Sequence, residues 1–343
     1  MKTVFISKLE PLLDAVGREM DLYVPKKVED HFVYERYDPD AGAALELNNI
    51  RTCTTVKEFL FPVSELAAVF PQPAKQQEVK PFAVFGLKNC DLRSIEVLDK
   101  VFAEQDFVDP FYMSRRENMF IIASDCFNPA ESCYCILLDG QGFAQSGFDL
   151  NVSQVSNGFI IETGSQKGQD FIKKHSELFS DVSEAVLTQR DENRAETQNK
   201  LKQINSEYKL RDLPNKVVES GQDSDLFDAE AKDCVECQGC TRICPTCHCF
   251  YLYDTKQKDY FTRMKMWDSC MRQAYAAVAG GANPRKILGD RLRHRLMHKY
   301  VYFFDRYGIP MCVGCGRCLD VCLGGIDTRA MLKKLSEDLK VAK

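Results

Sequence analysis

Two cysteine runs of one spacing constrain this chain more than any other feature of its sequence. Cys234-Val-Glu-Cys237-Gln-Gly-Cys240-Thr-Arg-Ile-Cys244-Pro245 reads C-x2-C-x2-C-x3-C-P, and Cys312-Val-Gly-Cys315-Gly-Arg-Cys318-Leu-Asp-Val-Cys322 repeats it with Leu323 in the proline position. Three thiolates in such a tight loop wrap three corners of a 4Fe-4S cube, while the fourth cysteine points away and ligates the other cluster of a two-cluster ferredoxin. The expected ligation is reciprocal. Cys234, Cys237 and Cys240 with Cys322 hold one 4Fe-4S cluster, and Cys312, Cys315 and Cys318 with Cys244 hold the second. Zinc competes, because two CxxC pairs can supply a four-thiolate site. Its pairs usually stand about 15 to 20 residues apart, whereas 67 residues separate these runs. The repeated spacing therefore favours iron and sulfide. Gly239, Gly314 and Gly316 are expected to let backbone come close to the sulfides.

Composition narrows the compartment and the class. Eleven of the 16 cysteines lie between Cys234 and Cys322, which is no pattern of scattered staples. Lys8 and Glu10 interrupt the apolar residues of Met1 to Gly17, so no secretory signal is expected, and no run reaches the roughly 18 apolar residues of a membrane span. A cysteine-rich chain in a reducing compartment uses its thiols for metal more readily than for disulfides. The expectation is a cytoplasmic metalloprotein. A net charge of −5 weighs against a generic nucleic-acid binder.

The chain reads as α+β. Residues 1–165 suggest a mixed α/β domain, 166–225 a charged helical linker, and 226–343 a dicluster domain. Phe82 to Leu87 and Met119 to Ala123 are apolar runs of strand type. The first is followed by a helix with Asp91 as its expected N-cap and Ile95, Leu98, Val101 and Phe102 on one face. Leu150 to Val155 and Phe159 to Thr163 predict a hairpin around Ser156-Asn157-Gly158, and Phe59 to Phe61 a strand ending at Pro62. Arg190 to Lys202 is almost wholly polar and reads as a solvated helix or linker. Met264 to Ala279 and Leu288 to Tyr307 are expected to be helical. So is the tail from Asp327, with Met331, Leu332, Leu335 and Leu339 on one face.

Four further cysteines sit in the first domain. If the strands before Cys90 and Cys126 are parallel neighbours, both thiols emerge at the carboxyl edge of the sheet, where α/β folds put their sites. A helix N-terminus beside Cys90 would favour its thiolate. With Cys133 and Cys135 these residues make a candidate third Fe-S cluster; the alternative is a set of buried free thiols. Cys247 and Cys249 read as packing beside a cluster, Cys270 as core on a helix, Cys53 as partnerless and His248 as an exposed loop residue. Arg285, Lys286, Arg291, Arg293, Arg295 and Lys299 form a basic segment, read either as a solvated helix face or as a docking surface for an acidic partner. Asp233, Glu236 and Asp320 are expected to lower the cluster potentials by disfavouring an added electron. No G-x-G-x-x-G, P-loop or HExxH motif is present, so no flavin or NAD(P) site is expected in this chain.

Several segments together resemble a known family. Val84-Phe-Gly-Leu-Lys-Asn-Cys90-Asp91-Leu92, Val108-Asp-Pro-Phe-Tyr112, Arg115-Arg116-Glu117-Asn118, Glu131-Ser-Cys133-Tyr-Cys135, Gly147-Phe148-Asp149-Leu150 and Cys244-Pro-Thr-Cys247-His-Cys249 are similar to the sulfhydrogenase beta subunits, a family that includes the anaerobic sulfite reductase A subunit. With helical sequence between its cysteine runs, the C-terminal part also resembles the α-helical ferredoxins of fumarate reductase and heterodisulfide reductase subunits. The resemblance implies a non-catalytic iron–sulfur electron-transfer subunit of a multi-subunit oxidoreductase. Its implied partners are an FAD- and NAD(P)H-binding subunit of ferredoxin-reductase type and a terminal redox subunit: a hydrogenase, a sulfite reductase or a heterodisulfide-reductase-like module. The competing reading is an Fe-S catalytic subunit acting on a sulfur substrate at Cys90, Cys126, Cys133 and Cys135.

Overall fold

A computed structural model describes residues 2–41, 51–71, 78–104 and 108–338. Its larger sheet has seven strands: β1 (Thr3–Ile6), β2 (Asp21–Val28), β3 (His31–Arg36), β5 (Phe82–Leu87), β6 (Met119–Ser124), β7 (Leu150–Val155) and β8 (Gly158–Thr163), in the order β1-β8-β7-β6-β5-β2-β3. The central pairs β2–β5, β5–β6 and β6–β7 are parallel, and the outer ones are antiparallel. Every residue of β5 and β6 is buried. That explains why both read as unbroken apolar runs rather than alternating ones. Helices α1 (Glu10–Glu19) and α5 (Gln166–Lys174) cover one face; α2 (Val56–Leu60), α3 (Asn89–Phe102) and α4 (Pro110–Asn118) contribute to the core on the other.

A second, antiparallel sheet joins β4 (Ser64–Phe70) to β10 (Phe261–Trp267) and β10 to β9 (Phe250–Lys256). A strand from the first 165 residues thus shares a sheet with a hairpin lying between the two cysteine runs. The remaining helices are α6 (Glu184–Ile204), α7 (Pro214–Ser220), α8 (Leu226–Ala231), α9 (Gly239–Arg242), α10 (Leu288–Met297), α11 (Phe303–Tyr307), α12 (Arg317–Asp320) and α13 (Thr328–Asp338). A π-helical turn, His298–Tyr302, bridges α10 and α11. Helices α7, α8, α10 and α13 close a third core that takes in Tyr134 and Leu138 from the first region.

Four local expectations are corrected. Phe59 and Leu60 belong to α2 rather than to a strand, because Glu58 reaches back and accepts the Thr55 N–H at 3.1 Å, a capping contact that starts a helix. Helix α3 begins at Asn89 with Lys88 in the cap position, and Asp91 in its first turn accepts the Lys88 N–H at 3.1 Å. Met264 to Ala279 is not one helix: Phe261 to Trp267 is the central strand of the small sheet, Cys270 lies in the turn after it, and Gln273–Ala276 makes a short 3-10 turn. Backbone pairing on both edges overrides helix propensity there. Finally, Arg190 to Lys202 is helical and largely exposed as expected, within α6, but it is docked by specific polar contacts rather than free. Its Arg194 is bonded to Asp125 (2.7 Å) and to Glu162, and its Thr197 hydroxyl donates to the Cys126 carbonyl at 2.8 Å. The hairpin is found, as is the tail helix, whose Met331, Leu332 and Leu335 are buried; Leu339 lies outside the described residues.

The second cysteine run is pressed against the loop that carries Cys133 and Cys135. Gly314 (φ +65°) and Gly316 (φ +78°) are left-handed, and added Cβ atoms would stand 2.5 Å from Cys135 Cα and 2.2 Å from the Ser132 carbonyl oxygen. The first run repeats this backbone at Glu236 (φ 56°) and Gln238 (φ 63°), where side chains have room. The glycines therefore serve the approach of protein backbone, a use their spacing alone does not reveal. Gly316→Ala should destabilise the chain by about 2 kcal/mol or more, while Gln238→Gly should stay within about 1 kcal/mol; denaturant unfolding of both variants measures the difference.

Candidate metal centres

The first cysteine run, Cys234 to Cys244, winds through α9, and the second, Cys312 to Cys322, through α12. Beside the first lies an apolar cavity lined by Cys234, Cys237, Cys240 and Cys322, with Met271, Leu292 and Ile326 among its walls. A second, more enclosed cavity is lined by Cys312, Cys315, Cys318 and Cys244, together with Tyr134, Thr246 and Lys299. Each triplet therefore faces a cavity that also receives the fourth cysteine of the opposite run. Cys318 and Arg295 border both.

The chemistry of this donor set suits a cluster better than a single ion. Among the described residues no three His, Cys, Asp or Glu side chains converge closely enough to hold one metal ion. Zinc draws four ligands to a point at about 2.3 Å from the metal. Here the thiols ring a space. Cys318 is pushed up to about 12, mainly by burial, so it stays a neutral thiol unless a positive centre compensates the thiolate.

The third group of thiols sits where the parallel sheet delivers it. Strands β5 and β6 pair in parallel, and Cys90 and Cys126 follow their carboxyl ends. Cys135 is pushed up to about 12 by burial, with Cys126, Cys133 and Cys315 acting in the same direction. Cys126 is likewise pushed up to about 12, again chiefly by burial, with Lys88 opposing. Cys90 is raised well above the ordinary thiol value by burial and by Asp91. The expected thiolate at this helix N-terminus is therefore not found: desolvation and an adjacent carboxylate outweigh the helix end. Arg51 donates to Cys133 Sγ at 2.9 Å, and the side chain of Asn205, at the C-terminal end of α6, donates to the Cys133 carbonyl at 2.8 Å. Arg317, one residue before Cys318, forms a buried ion pair with Asp91 at 2.9 Å. The third group and the second cavity are thus neighbours, tied by Arg317–Asp91 and by the Tyr134 hydroxyl, 3.1 Å from Cys312 Sγ.

The basic segment is only partly solvated. Arg291, Arg295 and Lys299 recur every four residues and are buried on the inner face of α10 and its π-turn, while Lys286 is exposed. Arg291 pairs with Glu236 at 2.9 Å. Lys299 Nζ lies 3.2 Å from Cys244 Sγ and donates to Thr246 Oγ1 at 3.1 Å. Glu236 and Asp320, expected to depress the potentials, are matched by Arg291 and Arg51. Around Cys244, Cys315 and Cys318 the nearest charges are cations, Lys299, Arg317 and Arg295. His248 is not an exposed loop residue either: its ring stands among Phe102, His298 and Phe303, and burial lowers it to about 3. Cys249 is held down at about 6, first by a hydrogen bond from Cys270, so these two thiols pack together. Cys53 is exposed. Lys57 and Arg51 were invisible in the sequence, as single basic residues in otherwise unremarkable segments, and Lys88 was legible only as part of the segment Val84 to Leu92.

Residues 233–326 match the family model for a 4Fe-4S dicluster domain. The chain is 35% identical over 332 residues, 95% of its own length and 95% of the relative's, to the sulfhydrogenase 2 subunit beta of Pyrococcus furiosus. No helix among the described residues is long and apolar enough to cross a membrane.

Because cluster thiols must lose their protons on binding, iron uptake should release protons and strengthen as pH rises from 7 toward 8.5. Anaerobic titration of the apo chain with iron and sulfide at several pH values checks this; uptake that is flat or falls with pH contradicts it.

Proposed function

Because the chain belongs to the sulfhydrogenase beta-subunit family, we propose that it is the iron–sulfur electron-transfer subunit of a multi-subunit oxidoreductase. In this reading Cys234, Cys237, Cys240 and Cys322 hold one 4Fe-4S cluster, and Cys312, Cys315, Cys318 and Cys244 the other. Such clusters accept and release single electrons, at potentials tuned by burial, nearby charge and hydrogen bonds to sulfur. The observation that supports this most is the pair of adjoining cavities, each bordered by one triplet and by the far cysteine of the other run. The Cys90, Cys126, Cys133 and Cys135 group is proposed to hold a third cluster, packed against the second.

The protein's own groups have defined tasks here. Apolar residues such as Met271, Leu292 and Ile326 exclude water from the first centre. The Tyr134 hydroxyl beside Cys312 orients that ligand. Arg194 of α6, bonded to Asp125, fixes the loop that presents Cys126. The proposed partners are a flavin- and NAD(P)H-binding subunit and a terminal redox subunit, with flavin and nicotinamide bound outside this chain and the complex in the cytoplasm.

Metal analysis of the anaerobically purified chain should return about eight iron atoms, or about twelve with a third cluster, with matching sulfide; about two zinc atoms and no sulfide would refute the reading. Cys90→Ala should remove about four of the twelve and abolish only electron delivery from the natural donor. Loss of the terminal reaction with small artificial donors as well would instead favour catalysis on a sulfur substrate at that site.

A further inference from the structure

Among the described residues, two buried cations of the basic segment have no carboxylate to answer them. Arg295 is 5% exposed and Lys299 is 4% exposed, and neither belongs to a salt bridge among the described residues. Glu236, the acidic residue within the first run, is taken by Arg291. Arg295 Nε is buried without a hydrogen-bond partner. A desolvated guanidinium left in that state is costly unless anionic charge faces it. What it faces is sulfur: Arg295 stands in the wall shared by the two cavities, with the thiols of Cys240 and Cys318 near it. Lys299 borders only the second cavity, in contact with Cys244 Sγ and Thr246 Oγ1. The π-helical turn that contains Lys299 interrupts the regular helix at that point, a local irregularity often found at functional sites.

Resting on the ligand sets of the reading above, we propose that Arg295 and Lys299 are positioning residues that set the order of the two reduction potentials, Arg295 acting on both centres and Lys299 on the second alone. A fixed positive charge in a low-dielectric wall stabilises an added electron, and the effect falls with distance. The second centre has both cations on its wall, and Lys57, 1% exposed, lies near Cys244 and Cys247 as well. The first has Arg295 and an Arg291 already neutralised by Glu236. The second centre is therefore the more easily reduced of the pair, and an electron entering at the first comes to rest on the second. One electron is added and none is paired with a proton, since guanidinium and ammonium stay charged throughout.

The test is a redox titration of the iron-loaded chain, followed by electron paramagnetic resonance, with the two signals assigned through Cys312→Ser. Lys299→Met should lower the reduction equilibrium of the second centre at least tenfold, about 59 mV for a one-electron couple, and leave the first unmoved. Arg295→Met should lower both, and Lys299→Arg should restore the wild-type values. If Lys299→Met fails to load iron, Lys299→Gln, which removes the charge but keeps a polar contact for Thr246, gives the same reading. Reducible wild-type centres whose potentials ignore Lys299→Met and Lys299→Gln, or shift equally in both centres, overturn this proposal and leave the relay reading intact. Wild-type iron that cannot be reduced overturns the relay reading and this proposal together.

Discussion

Bringing many thiols into one interior is possible only if their charge is answered there. A thiolate in a low-dielectric surrounding is strongly disfavoured without a cation or metal beside it, and the raised thiols at Cys90, Cys126, Cys135 and Cys318 express that cost. The rest of the architecture follows from it. Lys299, Arg295, Arg317 and Lys57 are buried toward sulfur, and the loop from Ser132 to Cys135 is clamped against the second run by the two left-handed glycines. Buried charge of this kind contributes little to stability by itself; its worth lies in the electrostatic setting it creates for an electron.

The α/β part of the chain supplies a rigid edge. Parallel β5 and β6 deliver Cys90 and Cys126 to one end of the sheet. Helix α6 straps the loop behind them through Arg194, Thr197 and Asn205. Strand β4 crosses to pair with β10, and Lys57 of α2 reaches the Arg242 carbonyl at 3.2 Å. The two regions are interlocked rather than strung on a tether, as suits centres whose separation must not fluctuate.

The parts legible in the sequence were those written in covalent spacing or unbroken hydrophobicity: the cysteine runs, the fully buried β5 and β6, the hairpin of β7 and β8, and the face of α13. What stayed hidden was written in polar residues satisfied by distant partners. Arg190 to Lys202 has no apolar period because its inward side chains, Arg194 and Thr197, meet a carboxylate and a carbonyl instead of a hydrophobic core. Met264 to Trp267 looked helical because nothing local announces a strand paired on both edges. Arg291, Arg295 and Lys299 did carry a signal, a four-residue repeat that puts them on one helical face. Only the fold shows that this face points inward.

The central claim is cross-strapped ligation, and anomalous iron density from anaerobically grown crystals tests it most directly. A compact iron cluster is predicted in each of the two cavities, with Cys244 Sγ bonded to the one held by Cys312, Cys315 and Cys318, and Cys322 Sγ bonded to the one held by Cys234, Cys237 and Cys240. Four ligands drawn from a single run at either centre, or single-ion density of zinc in the two cavities, would contradict it.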